Sequence, residues 1–148
     1  HKDRWLVYQE SQVKYNAILE YPTFTRKGKV VKLSQNIFKK MHWGSQAKCK
    51  KDYSELVSGF TESLPRFNWI RPEYTLFFKG NRPKDLDNYW FPVHKFLMDA
   101  IVEGGKLEDD NFKFVRGFVV DFGEAGKDVE DHVVVELIGE INDEDDTN

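Results

Sequence analysis

One apolar stripe constrains the fold of this chain more than any other feature. Its members recur at the three- and four-residue spacing of a helix face: Val93, Phe96, Leu97, Ala100 and Ile101. Pro92 suits the first turn of a helix, and Gly104 and Gly105 favour the left-handed turn that ends one. We therefore predict a helix over about residues 92–103 whose apolar face packs on a sheet.

Short β-branched and aromatic runs supply the sheet. Residues 13–21, 29–33 and 73–79 are typical of strands. Residues 112–122 and 131–141 alternate or run apolar on either side of a loop, which predicts a terminal antiparallel β-hairpin.

A second helix is predicted over about residues 47–64. Tyr53, Leu56 and Phe60 recur there at helical spacing, and Pro65 ends the pattern. The chain as a whole predicts an α+β fold, with a small mixed or antiparallel β-sheet flanked by two main helices.

The length and composition fit one core. With 148 residues, of which 40% are hydrophobic, we expect a single domain over residues 1–141 and a disordered acidic tail over 142–148. The single cysteine, Cys49, excludes an internal disulfide and Cys-rich zinc sites, and it fits a reducing compartment. No run is apolar enough to span a membrane, so we expect a cytoplasmic protein.

The charge is segregated along the chain although its net value is only -3. Nine basic and no acidic residues lie between Arg26 and Lys51, whereas eleven acidic residues and one lysine lie between Asp121 and the end. Residues 34–44 predict a basic loop, and a loop of this kind suits DNA. The candidates for holding a DNA backbone are Asn36, Lys39, Lys40, Lys48, Lys50 and Lys51.

The lysines at 48, 50 and 51 carry a further expectation. The predicted helix over 47–64 places them in its leading turn, where cations oppose the positive end of the helix dipole. A bound phosphate would relieve that repulsion.

Two acids two positions apart indicate metal chemistry. Asp85 and Asp87 would share one face of an extended strand end, with Leu86 turned to the core. Carboxylates held that close favour a bound cation, and Mg²⁺ prefers oxygen ligands. The alternative is that these acids only cap the following helix and face water. A second acidic pair, Asp109 and Asp110, follows that helix, where the chain can return to the same sheet edge.

These residues resemble the signature of RusA-like Holliday junction resolvases. The matching residues are Lys84, Asp85, Leu86, Asp87, Asn88, Lys95, Asp99, Gly105, Leu107, Asp109 and Asp110. The resemblance covers about residues 29–141, so residues 1–28 look like an N-terminal addition. One departure is an apparent four-residue insertion at 89–92, which lengthens the spacing before Lys95.

The resemblance implies a homodimeric, metal-dependent endonuclease that hydrolyses phosphodiester bonds at four-way DNA junctions. It implies that Asp85, Asp87 and Asp110, with Asp109, bind Mg²⁺, for which Mn²⁺ could substitute, and that Lys95 neutralises transition-state charge. Asn88 would orient a carboxylate or cap the turn. Two alternatives stay open: a nuclease of the same fold that acts on other branched or single-stranded DNA, and a catalytically silent DNA-binding or regulatory protein.

Overall fold

A mixed four-stranded sheet in the order β1-β6-β4-β5 forms the centre of the computed structural model, which describes residues 12–143. The four strands of this sheet are β1 (Gln12–Glu20), β4 (Phe67–Phe77), β5 (Val119–Phe122) and β6 (His132–Ile141). A separate two-stranded hairpin consists of β2 (Thr23–Arg26) and β3 (Lys29–Lys32). The helices are α1 (Gln35–Lys40), α2 (Trp43–Leu56), α3 (Ser58–Ser63) and α4 (Leu86–Glu103). This is the expected α+β fold with two main helices, α2 and α4.

The expected terminal hairpin is wrong. β6 lies between β1 and β4 and pairs antiparallel with both, whereas β5 pairs parallel with the far edge of β4, with Val119 opposite Glu73. The physical reason is burial: Val133, Val135 and Leu137 are fully buried when β6 lies between two long strands. Pairing with the four-residue β5 would leave much of β6 uncovered.

β1 is an integral part of the main sheet. It pairs with β6 along its whole length, from Gln12 opposite Glu140 to Glu20 opposite His132. Tyr21, just beyond it, is buried and its hydroxyl donates to the carbonyl of Leu33 at 2.6 Å. The described part of the N-terminal segment is therefore structural, and residues 1–11 lie outside the described range.

The apolar stripe of α4 packs as predicted. Val93, Phe96, Leu97 and Ile101 are fully buried in the main core cluster. The helix ends where expected, because Gly105 has a φ of 75° and the Gly104 N–H donates to the Ala100 carbonyl at 3.0 Å.

The start of α4 differs from the prediction. The helix begins at Leu86, and Pro92 lies inside it rather than in its first turn. Proline removes one backbone hydrogen bond there. Tyr89, Trp90 and Phe91 offset that loss, because each is partly buried against the core. The residues that looked like an inserted loop are helical.

Two further boundaries differ. Residues 34–44 are mostly helical rather than a loop, because Ser34 caps α1 by accepting from the Ile37 N–H at 3.2 Å. The helix predicted over 47–64 starts four residues earlier, at Trp43, and is divided at Val57 into α2 and α3. The Ser58 hydroxyl donates to the Glu55 carbonyl at 2.8 Å, a local bond that competes with the helix ladder. Within residues 12–143, no helix combines the length and apolarity needed to cross a membrane.

Candidate functional site

Asp85 and Asp87 lie at the first turn of α4 and are both exposed. Asp85 occupies the extended N-cap position, with φ of -83° and ψ of 129°, and Asp87 is already helical. The expected strand end is therefore wrong, and alternation along a strand does not place the pair on one face. Leu86 is partly buried against the core, as expected.

The capping alternative also does not describe Asp85. Its side chain makes no capping hydrogen bond, and within residues 12–143 its carboxylate has no hydrogen-bond or ion-pair partner. Oδ1 of Asp87 accepts from the N–H of Asn88 at 3.0 Å. Negative charge at a helix start is favourable through the dipole. Within residues 12–143, most carboxylate oxygens of Asp85 and Asp87 therefore accept no hydrogen bond and can bind a ligand.

Asn88 joins the first turn of α4 to the first turn of α1. Its Oδ1 accepts from the backbone N–H of Asn36 at 3.0 Å. The side chain therefore caps a different helix from the one it belongs to, by using one of the free N–H groups at the start of α1. The bond holds α1 next to the helix that begins with the two acids. The last turn of α1 carries two cations, Lys39 and Lys40.

A second basic group precedes Asp85, and two of its three members, Lys79 and Arg82, were missed from the sequence. Lys79 and Arg82 are exposed, and Lys84 lies with its Nζ 5.2 Å from the Phe78 ring centre. Burial and the neighbouring Lys32 lower the pKa of Lys84. The available signal was local: three cations in a loop of Gly, Asn and Pro directly before two acids.

A cleft lies between the β2–β3 hairpin and α1. It has a volume of about 230 Å³ and is lined by Arg26, Asn36, Ile37, Lys40 and Met41. Two of its five lining residues are cations, and none is acidic. The cleft therefore favours an anion.

The other predicted basic residues have different positions. The leading turn of α2 begins at Trp43, so Lys48, Lys50 and Lys51 lie beyond it and the expected repulsion there is wrong. Lys48 pairs with Asp52 at 2.8 Å.

Lys50 connects α2 to the second half of α4. Its Nζ lies 2.9 Å from Glu103 Oε1 and 3.5 Å from Asp99 Oδ2. The hydrogen bond to Glu103 is the largest cause that raises the pKa of Lys50. Both Lys48 and Lys50 therefore have intramolecular carboxylate partners, whereas Lys39 and Lys40 have none in the described part of the chain.

Lys95 lies on α4 well away from the two acids at its start. It lies eight positions beyond Asp87, which corresponds to about 12 Å along a helix axis. Its Nζ is 3.9 Å from Asp99 Oδ2. Because the helix starts at Leu86, Lys95 is in the third turn and not the first.

Asp109 and Asp110 follow the other end of α4 and are exposed. Asp109 accepts from the Asp110 N–H at 2.7 Å and from Asn111 Nδ2 at 3.1 Å. The Asp110 carboxylate has no partner within the described range. Asp110 is thus available to a ligand.

The two acidic pairs lie at opposite ends of α4 within one chain. The Tyr89 and Phe78 rings, 5.3 Å apart, fix the start of the helix near the end of β4. The Phe67 N–H donates to the Lys106 carbonyl at 2.8 Å, which fixes the chain after α4 at the start of β4. An 18-residue helix is about 27 Å long. Accordingly, no group of three His, Cys, Asp or Glu residues that could hold a metal occurs in residues 12–143.

Neither end of α4 carries enough carboxylates for a metal site whose ligands all come from the protein. Mg²⁺ is commonly held by one or two carboxylates together with water and substrate phosphates. Asp85 and Asp87 meet that lower requirement by type and exposure. The third carboxylate expected from Asp110 does not reach them in the same chain.

His94 lies in a separate aromatic cluster beneath the first half of α4. Its Nδ1 is 2.6 Å from Tyr74 Oη, and its ring stacks 4.8 Å from the Trp90 ring, which itself stacks 4.2 Å from Phe118. Burial lowers the pKa of His94 to about 4. This histidine is a packing residue.

Neither a family model nor a curated protein matches this chain.

Proposed function

We propose that this protein is an endodeoxyribonuclease that acts on branched DNA, with four-way junctions as its substrate class. The first turn of α4 is the reacting end, and α1 with the loop before Asp85 holds the DNA. The resemblance to the RusA-like resolvases and the placement of the exposed charges support this assignment.

One observation carries the proposal: the hydrogen bond between the Asn36 N–H and Asn88 Oδ1. It joins a helix end that presents two acids to a helix whose two lysines, Lys39 and Lys40, have no carboxylate partner among residues 12–143. A nuclease needs these two features side by side, because cations hold the phosphate backbone while carboxylates act at the scissile group.

The basic residues bind the backbone in this proposal. Lys39, Lys40, Lys79 and Arg82 are exposed, and their side-chain cations have no carboxylate partner in the described part of the chain, although the Lys79 backbone N–H donates to Asp131 Oδ1 at 2.8 Å. Each can neutralise a DNA phosphate and release its counterion. The branched substrate presents several strands, which fits cations on two separate elements.

In this proposal the two acids bind water or the metal ion at the first turn of α4. Asp85 and Asp87 accept hydrogen bonds from water or ligate Mg²⁺, and Asn88 fixes the turn that bears them. Mg²⁺, when bound, would polarise the phosphate and lower the pKa of the attacking water. Lys95 does not belong to this end of the helix, so we leave it out of the reacting group.

A catalytically silent DNA-binding protein is the second candidate. It is favoured by the separation of Asp85 and Asp87 from Asp110 along α4, which leaves residues 12–143 of a single chain without three converging acids. The same basic surface would then bind junctions without cutting them.

Cleavage of synthetic substrates distinguishes the two. A four-way junction, a flap and a linear duplex are incubated with the protein, with and without Mg²⁺, and the products are resolved on denaturing gels. We expect Mg²⁺-dependent nicks confined to the junction and their loss in Asp85→Asn.

The matched control is Asp128→Asn, which makes the same charge change at an exposed position in a loop after β5. It should cleave like wild type. Equal cutting of all three substrates would reduce the assignment to a general nuclease, and metal-independent junction binding without nicks would favour the silent binder.

A further inference from the structure

Trp43 places an exposed indole in the first turn of α2. The side chain is 75% exposed, and among the Phe, Trp and Tyr side chains of residues 12–143 only Phe112 is exposed more. An indole carries a large apolar surface, and leaving it in water forgoes the free energy that its burial would supply. An exposed tryptophan on a well-packed helix therefore points to a ligand that covers it.

The indole is held in position although it is exposed. His42 is the N-cap of α2, and its Nδ1 accepts from the Gly44 N–H at 3.1 Å, which fixes the imidazole ring. The centre of the Trp43 ring lies 5.3 Å from that of the imidazole, at an interplanar angle of 36°. The histidine thus contacts the indole from one side and leaves its opposite face open. A flat ligand that stacks on a face already fixed in this way orders few additional groups.

Lysines without carboxylate partners lie on both sides of Trp43 along the chain. Lys39 and Lys40 end α1 just before it, and Lys51 lies eight positions after it, about 12 Å along a helix axis. All three are exposed and have no carboxylate partner among residues 12–143, and no acidic residue occurs between Lys39 and Lys51. The surroundings of the indole therefore match an anionic polymer.

Cations and an indole recognise different parts of such a polymer. Lysines hold the phosphates, whereas an aromatic ring stacks on the flat face of a base. Inside a duplex those faces are covered by the neighbouring base pairs. They are open in a single strand and at the base pairs that border a branch point. Trp43 therefore suits DNA with unpaired or unstacked bases.

We propose that Trp43 stacks on a base exposed at the branch point or in a single strand of the substrate, and so favours branched over linear DNA. This rests on the proposed function for the identity of the ligand, but the stacking requires no cleavage. Trp43 follows α1, whose first turn is hydrogen-bonded to Asn88 beside the acids. The stacked base is thus held on the same side of the molecule as the reacting end of α4.

Equilibrium binding tests the stacking. Fluorescence anisotropy without Mg²⁺ compares wild type, Trp43→Ala and Trp43→Phe on a four-way junction, an oligothymidine strand and a blunt linear duplex. Trp43→Ala should bind the junction and the single strand about tenfold more weakly, and Trp43→Phe should recover most of that loss. Binding of the duplex should not change. The slope of log affinity against log salt should also stay the same, because no cation has been removed.

The matched control is Phe112→Ala. Phe112 is 83% exposed but follows three acids, Glu108, Asp109 and Asp110, so its surroundings do not match DNA. This variant should bind all three substrates like wild type. An equal loss in Phe112→Ala, a loss in Trp43→Ala that is equal on all three substrates, or a lower salt slope would overturn the proposal. Unchanged binding in Trp43→Ala would overturn it too, and would leave the indole to a protein partner.

A fluorescent base reports the contact directly. 2-Aminopurine in the middle of the oligothymidine loses fluorescence when an aromatic ring stacks on it, so its signal should fall with wild type and stay unchanged with Trp43→Ala. An equal fall with both overturns the stacking. If wild type shows this quenching but cuts no DNA with Mg²⁺, the nuclease function fails and the stacking stands. If junctions are cut but Trp43→Ala behaves like wild type in both binding assays, the stacking alone fails, and absence of DNA binding by wild type overturns both.

Discussion

The backbone N–H of Asn36 donates a 3.0 Å hydrogen bond to Oδ1 of Asn88, across 52 positions of sequence. Through this bond the acidic start of α4 and the basic helix α1 hold a fixed relation. This amide and the buried Phe38 ring, which lies 6.4 Å from Phe91 and 5.4 Å from Phe96, together set the position of the cations relative to the acids.

Replacing that side chain should loosen α1. Asn88→Ala leaves the Asn36 N–H without its acceptor, which we expect to cost about 1 kcal/mol in the free energy of unfolding. Asn36→Ala keeps the backbone N–H and should leave stability unchanged, and Asn88→Asp keeps an acceptor. Urea unfolding of the three variants measures this. A similar loss in Asn36→Ala would mean that the side chain at 36, not the bond, matters.

Lysines without carboxylate partners should contribute more to DNA binding than lysines with them. Lys39→Ala with Lys40→Ala should weaken junction binding and lower the slope of log affinity against log salt by about 2. Lys48→Ala with Lys50→Ala removes the same charge from residues already paired with Asp52, Asp99 and Glu103, so its effect should be smaller. Fluorescence anisotropy across a salt series compares the pairs. Equal slopes would contradict the assignment of α1.

His94 should make stability depend on pH. Burial lowers its pKa in the folded state to about 4, below the unfolded value of 6.5, so the unfolded chain binds the extra proton. The free energy of unfolding is therefore unaffected by His94 above pH 6.5 and decreases as the pH falls from 6.5 toward 4. At pH 5 the loss is on the order of 2 kcal/mol.

The comparison is wild type against His94→Gln, which cannot titrate there. Unfolding midpoints at pH 7 and pH 5 should differ less in the variant than in wild type. Tyr74→Phe serves as the control, since it removes the hydroxyl 2.6 Å from the ring but keeps the histidine buried. Its pH dependence should resemble that of wild type.

Gly139 should tolerate no side chain. A Cβ there would lie 2.7 Å from the carbonyl oxygen of Trp69 in the neighbouring strand, which is backbone and cannot turn aside. We expect Gly139→Ala to lower the free energy of unfolding by about 1–3 kcal/mol, in the range of overpacking. Gly59→Ala, where a Cβ meets nothing within 4 Å inside α3, should instead stabilise the protein slightly. Thermal unfolding of both variants provides the comparison.

Local pattern predicted some parts of this fold well. Val93, Phe96 and Leu97 are buried as their spacing indicates, because a helix stripe is set by neighbours three and four residues apart. The start of α4 was mispredicted at Pro92. Nothing local reveals that Tyr89 packs against Phe78 and thereby keeps the proline inside a helix.

The pairing of strands and the convergence of site residues both depend on residues far apart in the sequence. The position of β6 between β1 and β4 depends on strands far from it in sequence, so adjacency along the chain suggested a hairpin with β5 instead. The same limit applied to the site: Asp85, Asp87 and Asp110 were identified as candidates by residue type and order. Their separation along α4 became visible only with the helix at its full length.

The central position of β6 has a consequence for synthesis. β1 is made early, yet its partner across the whole of its length is residues 132–141. During translation, β1 and β4 therefore lack the strand that lies between them until nearly all of the described chain has left the ribosome. Such late, long-range closure is slow and leaves apolar strands uncovered in the nascent chain. We expect nascent chains arrested before residue 132 to depend on chaperones, whereas those released beyond 141 fold unaided.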